Sequence, residues 1–400
     1  MRKRACAMYK KIFLHRGKDA SVRRYHPWIF SGAISRMDKG IDEGDNVEVY
    51  DAEGEFLAVG HYQRGSIAVR ILSFEHVPLD GALLSQKIGR ALAMRRELGL
   101  MRDGENTIFR LVHGEGDGLP ALIIDMYGPT AVIQAHSVGM HRWRHEIAQV
   151  LMELMPDRLA SIYYKSDQTL PVREGVEPES GYLLGSDADD VAMENGLAFH
   201  IDWLKGQKTG FFIDQRDNRR LLEQYAHGRK VLNMFCYTGG FSVYALRGDA
   251  RLVHSVDSSA RAIATTDANV ALNFPDCTRH RSYVSDAFRF LGHMPEDYDV
   301  VILDPPAFAK HRDAIHNAMK GYARLNAAAM SQMKSGGILF TFSCSQAITA
   351  DQFRTAVFTA AARAHRFVKV LHQLHQPADH PVSIYHPEGE YLKGLVLYVE

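Results

Sequence analysis

The chain has little cysteine, four residues in 400. Cys6, Cys236, Cys277 and Cys344 show no CxxC or Cys/His ligand spacing. Neither a disulfide framework nor a metal site is expected, and a reducing cytosol fits this usage. Net charge is also lacking, since 47 Lys and Arg balance 47 Asp and Glu. Non-specific coating of nucleic acid needs a broad positive surface and is excluded, whereas a local basic patch is not. No apolar run reaches the roughly eighteen residues of a membrane-spanning helix. The basic start (Arg2, Lys3, Arg4, Lys10, Lys11) has no apolar segment behind it, so no secretory signal is expected, and Met8 is an alternative start. Internal repeats and low-complexity tracts are missing as well.

What is present is a change of pattern along a chain too long for one core, so two or three domains are expected. Up to Phe74, the runs Val47–Tyr50, Phe56–Tyr62 and Ile67–Leu72 are rich in β-branched and aromatic residues and bounded by glycine turns. They predict a small β-barrel. Nine Lys or Arg and a single acid, Asp19, lie between Met1 and Arg24, a local patch suited to phosphate contact. Helical spacing follows over Leu83–Leu98 and Arg142–Leu154, with strands at Ala121–Asp125, Ala131–Ala135 and Ser161–Tyr164. These predict a compact α+β unit. The acidic, glycine-rich stretch Glu174–Asn195 is expected to be a loop or linker.

Beyond Gly196, short apolar runs at Val231–Phe235, Leu252–Val256, Val300–Leu303 and Ile338–Phe342 alternate with helical segments such as Ser259–Asn273 and His316–Met333. That alternation predicts a parallel sheet with helices on both faces. In such sheets ligands bind beyond the carboxyl ends of the strands, and the chemistry-bearing residues fall there. After the first run comes Phe235-Cys236-Tyr237-Thr238-Gly239-Gly240. Its glycines allow close backbone approach to a ligand, but it is not GxGxxG, which disfavours a dinucleotide. Asp257 and Asp286 are placed at the next two strand ends, where one carboxylate can accept from a ribose diol and the other can contact adenine. Helix capping is the plainer role for such acids, yet three in register, with Asp304, favour adenosine recognition.

Asp304-Pro305-Pro306 ends the fourth run. Two prolines fix φ and remove two donors, so the chain leaves the sheet stiffly and presents the Asp304 carboxyl. Cys344 ends the fifth run between Ser343 and Ser345. An isolated cysteine is usually a small buried hydrophobe; past a strand end it is a candidate nucleophile. Carbon 5 of a pyrimidine is too weak a nucleophile to take a methyl group unaided. Thiolate addition at carbon 6 activates it, and an acid at N3 assists if the ring is cytosine. Asp304 suits that role. Cys236, inside the cofactor turn, fits packing better, and Cys277 reads as structural.

Together these residues resemble the ribosomal RNA large-subunit methyltransferase I family, S-adenosylmethionine-dependent enzymes that form 5-methylcytosine in large-subunit rRNA. Further matching segments are His26–Ala33, Gly114–Pro120, Lys208–Arg216, Ala378–Val382 and Glu390–Gly394. The resemblance implies an α/β Rossmann-like class I methyltransferase domain with a mostly parallel sheet (196–400), preceded by a PUA-like RNA-binding β-barrel (1–77) and a central α+β domain (78–195). It implies S-adenosylmethionine contacts from Phe235, Tyr237, Thr238, Gly239, Gly240, Asp257, Asp286, Asp304, Gln215 and Arg216. Cys344 and Asp304 are then catalytic, and Pro305, Pro306 and Phe308 lie against the base. A cytoplasmic location, rRNA as partner, naked or partly assembled, and a homodimer are also implied.

Two departures bear on mechanism. Ala307 stands where the family commonly carries lysine. No second cysteine lies in the Asp-Pro-Pro segment, so the group that removes the carbon 5 proton is not identified. A single cysteine also resembles uridine-5 methyltransferases. The rival chemistries are therefore methylation at carbon 5 of uridine or at an exocyclic amine, and a rival of another class is a non-catalytic RNA-binding assembly factor.

Overall fold

The structure, a computed structural model, describes residues 9–171, 176–186, 189–309 and 312–400. Expectations concerning Arg2, Lys3, Arg4, Cys6, Met8 and Glu174 fall outside them. The chain divides into two compact units, each assembled from three stretches. Met1–Met193, Ile201–Phe211 and Ala378–Gly389 form the first; Glu194–His200, Phe212–Pro377 and Glu390–Glu400 form the second.

The first unit holds two sheets. Its six-stranded sheet runs Trp28–Phe30, Ile67–Ser73, Phe56–Tyr62, Asn46–Tyr50, Lys10–Leu14, Ile34–Met37 in spatial order. Ile12, Leu14, Val47, Val49, Ala58 and Val69 fill its core. Its five-stranded sheet runs Ser180–Leu184, Ser161–Lys165, Thr130–Ala135, Leu122–Tyr127, Ile108–His113. The helix Gly81–Glu97 packs into the same core through Leu84, Ile88 and Leu92, and the helix Arg144–Leu154 does so through Ile147 and Leu151.

Two local expectations are corrected. Glu174–Asn195 is not a plain loop, because Ser180–Leu184 pairs antiparallel with Ser161–Lys165 and a further strand forms at Val191–Glu194. Tertiary pairing overrides the loop-like composition. The helix expected at Arg142 begins at Arg144, after a separate short helix Val138–Arg142 capped by the Ser137 hydroxyl.

The glycine-rich Gly114–Gly118 segment owes its form to a buried ion pair. Arg95 is fully buried and makes a bidentate contact to Asp117 (2.6 and 2.8 Å), and also donates to the carbonyls of Arg110 and Asp379. A Cβ on Gly116 would lie 1.9 Å from the Pro381 carbonyl oxygen. Thus two segments far apart in sequence, Gly114–Pro120 and Ala378–Val382, close on one another.

In the second unit we label the strands β1 Lys230–Met234, β2 Leu252–Asp257, β3 His280–Val284, β4 Val300–Leu303, β5 Gly337–Ser343, β6 Val368–Leu374 and β7 Lys393–Val399. Its helices are α1 Arg216–Ala226, α2 Gly240–Arg247, α3 Ala260–Asn273, α4 Ala287–Leu291, α5 Ile315–Gln332 and α6 Ala350–Arg363. The sheet order is β3-β2-β1-β4-β5-β7-β6. The first five strands are parallel, while β7 inserts antiparallel between β5 and β6. β1, β4 and β5 are short apolar runs buried along their length, as strands covered on both faces must be. Leu232, Leu303, Leu339, Tyr322, Leu325 and Phe353 form the core between the sheet and α5 and α6.

Candidate functional site

The residues singled out in the sequence converge on the carboxyl edge of this sheet. β1 stops at Met234, and the chain then winds through left-handed conformations at Phe235, Tyr237 and Gly239 (φ 60, 48 and 79°) into α2. Phe235 is thus outside the strand expected to contain it. The turn is held from beneath: Thr266 Oγ1 donates to the Tyr237 carbonyl (2.9 Å) and the Asn269 amide to that of Thr238 (2.8 Å). A Cβ on Gly239 would sit 2.7 Å from Thr266 Cγ2. Gly239→Ala should therefore cost about 1–2 kcal/mol in left-handed strain alone and distort the turn. The expected result is a lower melting temperature and at least tenfold weaker S-adenosylmethionine binding by calorimetry.

At the end of β2, Asp257 accepts from the Tyr237 amide (3.0 Å) and the Ser259 amide (2.9 Å). Each oxygen keeps a second lone pair for a ligand hydroxyl. The N-cap of α3 is Ser259, so Asp257 is not the cap. Asp286 is different: it lies exposed past β3, and its carboxylate caps α4 through the Arg289 amide (3.0 Å).

Asp304 follows β4 directly and accepts from the Gln215 side-chain amide (3.0 Å), whose own oxygen takes the Asn218 amide (2.7 Å). Burial and the neighbouring Asp214 carboxylate raise the Asp304 pKa to about 7, against opposing pulls from Gln215 and Arg219. Its carboxyl is therefore able to hold a proton near neutral pH, as an acid facing a ring nitrogen must. Pro305 is buried and Pro306 exposed; the Phe308 and Tyr322 rings meet at a tilt, centroids 4.6 Å apart. Arg216 is buried, with an ion pair to Asp217 at 3.7 Å.

Cys344 follows β5 and is partly exposed. Cys236 is buried, which pushes its thiol up to about 12. It stays protonated and inert at neutral pH. Cys277 is a partly exposed thiol in the connection between α3 and β3.

Asp214 was not singled out in the sequence. Its Oδ2 accepts from Tyr391 (2.8 Å), while its Oδ1 is buried without a hydrogen-bond partner among the described residues. A buried carboxylate oxygen left open, next to Asp304 and in the unit that carries the Gly239–Gly240 turn, fits the ammonium group of an amino-acid cofactor. Arg219 also escaped notice. It is buried, bidentate to Glu194 (2.8 and 2.7 Å), and donates to the Phe212 carbonyl. Its Cδ would lie 3.0 Å from a Cβ on Gly240, so it backs the Gly239–Gly240 turn. Asp214, adjacent to Gln215, was legible only as part of a motif; Arg219 looked like an ordinary charge on a helix. Among the described residues of the first unit, a group of metal-ligand types converges that no spacing displays: His26, His386 and Glu388, with ligand atoms within 4.8 Å of one another.

The sheet order, the glycine turn and the acids at successive strand ends define a methyltransferase that uses S-adenosylmethionine. The family model for S-adenosylmethionine-dependent methyltransferases matches residues 174–389, and that for PUA-like domains matches residues 12–74. Among solved structures, a SAM-dependent methyltransferase from Streptococcus mutans is similar (23% identity, TM-score 0.82, 97% of this chain and 99% of that one). So is a methyltransferase complexed with SAH (23%, TM-score 0.84, the same coverage). Curated relatives extend the likeness over the whole chain. The ribosomal RNA large subunit methyltransferase I of Alteromonas mediterranea is 39% identical over 398 residues, covering 98% of this chain and 99% of the relative. The protein of the same name from Klebsiella pneumoniae is 36% identical over 400 residues, covering 98% and 99%. The chain belongs to the ribosomal RNA large-subunit methyltransferase I family. No described helix is long and apolar enough to cross a membrane.

Proposed function

We propose that this protein forms 5-methylcytosine in large-subunit rRNA through a covalent bond between Cys344 and the pyrimidine. S-adenosylmethionine supplies the methyl group as an electrophilic sulfonium. Its ribose would be held by Asp257, its adenine by Asp286, and its methionine end by Asp214, Gln215 and Asp304, above the Gly239–Gly240 turn. The remaining work falls to the chain's own residues. Cys344 adds its sulfur to carbon 6 of the ring, which makes carbon 5 nucleophilic. Asp304, holding its proton near neutral pH, donates to N3 as the ring gains electron density. Loss of the carbon 5 proton then expels the thiolate. The segment around Pro305 and Pro306 would lie against the ring. Because duplex RNA hides its bases, the target nucleotide is unpaired or turned out of its helix. Residues 1–77 are assigned as the PUA-like RNA-binding domain, 78–195 as a central domain, and 196–400 as the catalytic domain.

The observation that carries this reading is the placement of Asp304 and Cys344. They follow adjacent parallel strands, β4 and β5, paired in register from Val300↔Ile338 to Leu303↔Thr341. An exocyclic-amine methyltransferase needs the acid but not the thiol. The test is RNA carrying 5-fluorocytidine, incubated with enzyme and S-adenosylmethionine and examined by denaturing gel and peptide mass spectrometry. Fluorine blocks the final proton loss, so an adduct mapped to Cys344 is expected. An adduct only with 5-fluorouridine would reassign the base to uracil. Methyl transfer to RNA with neither analogue trapped would overturn the covalent reading.

A further inference from the structure

We propose that Lys393 activates Cys344: its amine takes the thiol proton, and the resulting ammonium holds the thiolate for attack. This rests on Cys344 being the nucleophile, and it assigns to a second residue the task of making that nucleophile reactive. The argument begins with the strand order. β7 inserts antiparallel beside β5, and its first residue, Lys393, pairs with Ser343, the last residue of β5 and the neighbour of Cys344. That register brings a lysine from the far end of the sequence to the strand end where the thiol sits.

Lys393 is buried, an unusual position for lysine. Its Nζ donates to the carbonyl of Ser345, on the other side of Cys344, at 2.7 Å. The side chain therefore bridges the segment that carries the thiol. Among the described residues, the titratable groups that act on the pair are Tyr322 and Glu390. Tyr322, from α5, bonds the hydroxyls of both Ser343 and Ser345 (2.9 Å each). Its phenol is raised by burial and then by the field of Cys344, so it stays neutral there. Glu390 and Cys344 act on Lys393 in the direction of retaining its proton, and burial acts against them. Burial wins and lowers the Lys393 pKa to about 8, near that of an ordinary thiol. That makes the Lys393 amine a readier proton acceptor than an ordinary lysine.

The step balances simply. The S–H bond of Cys344 breaks and an N–H bond forms on Lys393. The sulfur's electron pair forms the bond to carbon 6. When that bond breaks at the end of turnover, the pair returns to a sulfur still facing an ammonium. Lys393 binds the backbone that flanks the thiol, so it is a positioning and activating residue, and its loss should move a pH profile rather than only a rate.

The experiment is site-resolved alkylation of the full chain with iodoacetamide, followed by peptide mass spectrometry at several pH values. The readout is the rate at pH 7 divided by the plateau rate near pH 9.5, which normalises for access. In the unmodified chain this ratio should be about tenfold larger for Cys344 than for Cys277; equal ratios would overturn the proposal without any substitution. In Lys393→Met the ratio for Cys344 should fall about tenfold, with that of Cys277 unchanged and S-adenosylmethionine binding retained. Lys393→Arg, which keeps the positive charge but cannot take a proton, should restore only the part of the ratio that comes from holding the thiolate. An unchanged Cys344 ratio in a Lys393→Met chain that still binds S-adenosylmethionine would overturn the proposal. Activity surviving in Cys344→Ala would instead defeat the nucleophile reading and leave the alkylation result standing.

Discussion

Cys344→Ala is expected to lower methyl transfer to RNA by at least about 10³-fold, equivalent to some 4 kcal/mol of transition-state stabilisation, while S-adenosylmethionine binding stays within about twofold. The split follows from where the residue sits. Cys344 lies past β5, whereas the Gly239–Gly240 turn follows β1 and is held by Thr266, Asn269 and Asp257. On the proposed mechanism, removing the thiol takes away only the group that adds to the ring, and neither Cys236 nor Cys277 replaces it. Cys236 is locked in its protonated form by burial. Cys277 follows α3 and precedes β3, in a connection that leads into the far edge strand of the sheet. Cys344→Ser should be almost as inactive, because a hydroxyl is a far weaker nucleophile at neutral pH. Steady-state kinetics with tritiated methyl donor, set beside calorimetric cofactor binding, reads both parts. Full activity in Cys344→Ala would turn attention to exocyclic-amine chemistry.

Asp304→Asn is expected to have the second-largest effect, and its two consequences run in opposite directions. Activity should drop about 10²-fold or more, because an amide cannot pass a proton to N3 as the ring gains electrons. Stability should rise at alkaline pH. The folded-state value of Asp304 is about 7, above its ordinary 3.8. The folded chain thus binds this proton more tightly than the unfolded chain does. The stability linked to it is fully present below 3.8 and is lost as pH rises through 7. At pH 8 the wild type carries a charged, partly buried carboxylate beside Asp214. The neutral asparagine does not, and should be more stable by on the order of 1–2 kcal/mol once solvent screening is allowed for. Near pH 4 the difference should vanish. Thermal melts of both chains across this range measure it, and an unchanged difference between pH 4 and pH 8 would contradict the raised value.

Much of the site was legible before folding because its parts are local. A glycine turn after an apolar run, an Asp-Pro-Pro stop and a cysteine after a strand are each written in a few consecutive residues, and the open-sheet rule places all of them on one edge. The alternation of periods behind that rule was equally plain over 231–342, where strands are covered on both faces and read as continuous apolar runs. The edge strands were harder. Ser180–Leu184 has a half-exposed, weakly alternating pattern, and β6 is largely exposed, so neither carries a strong hydrophobic signal. Asp286 was legible as a strand-end acid for which capping was the plainer role; that it does cap α4 depended on where the next helix starts.

The residues that escaped notice act across the fold. Arg219 and Glu194 lie 25 positions apart and were ordinary surface charges until burial paired them. Asp214 gained meaning only when one of its oxygens was found buried without a partner. Lys393 came beside Cys344 because a seventh strand runs antiparallel between two others, and nothing in Glu390–Gly394 states that register.

By itself, then, the amino-acid order determined the class of fold, the candidate cofactor turn and the candidate nucleophile, because hydrophobic period and turn chemistry are short-range properties of a chain. Only the tertiary structure decided which carboxyl keeps a proton at neutral pH, which thiol is silenced, and which lysine stands next to the other. Those are matters of desolvation and of charge at close range, and both depend on neighbours that the chain supplies from far away.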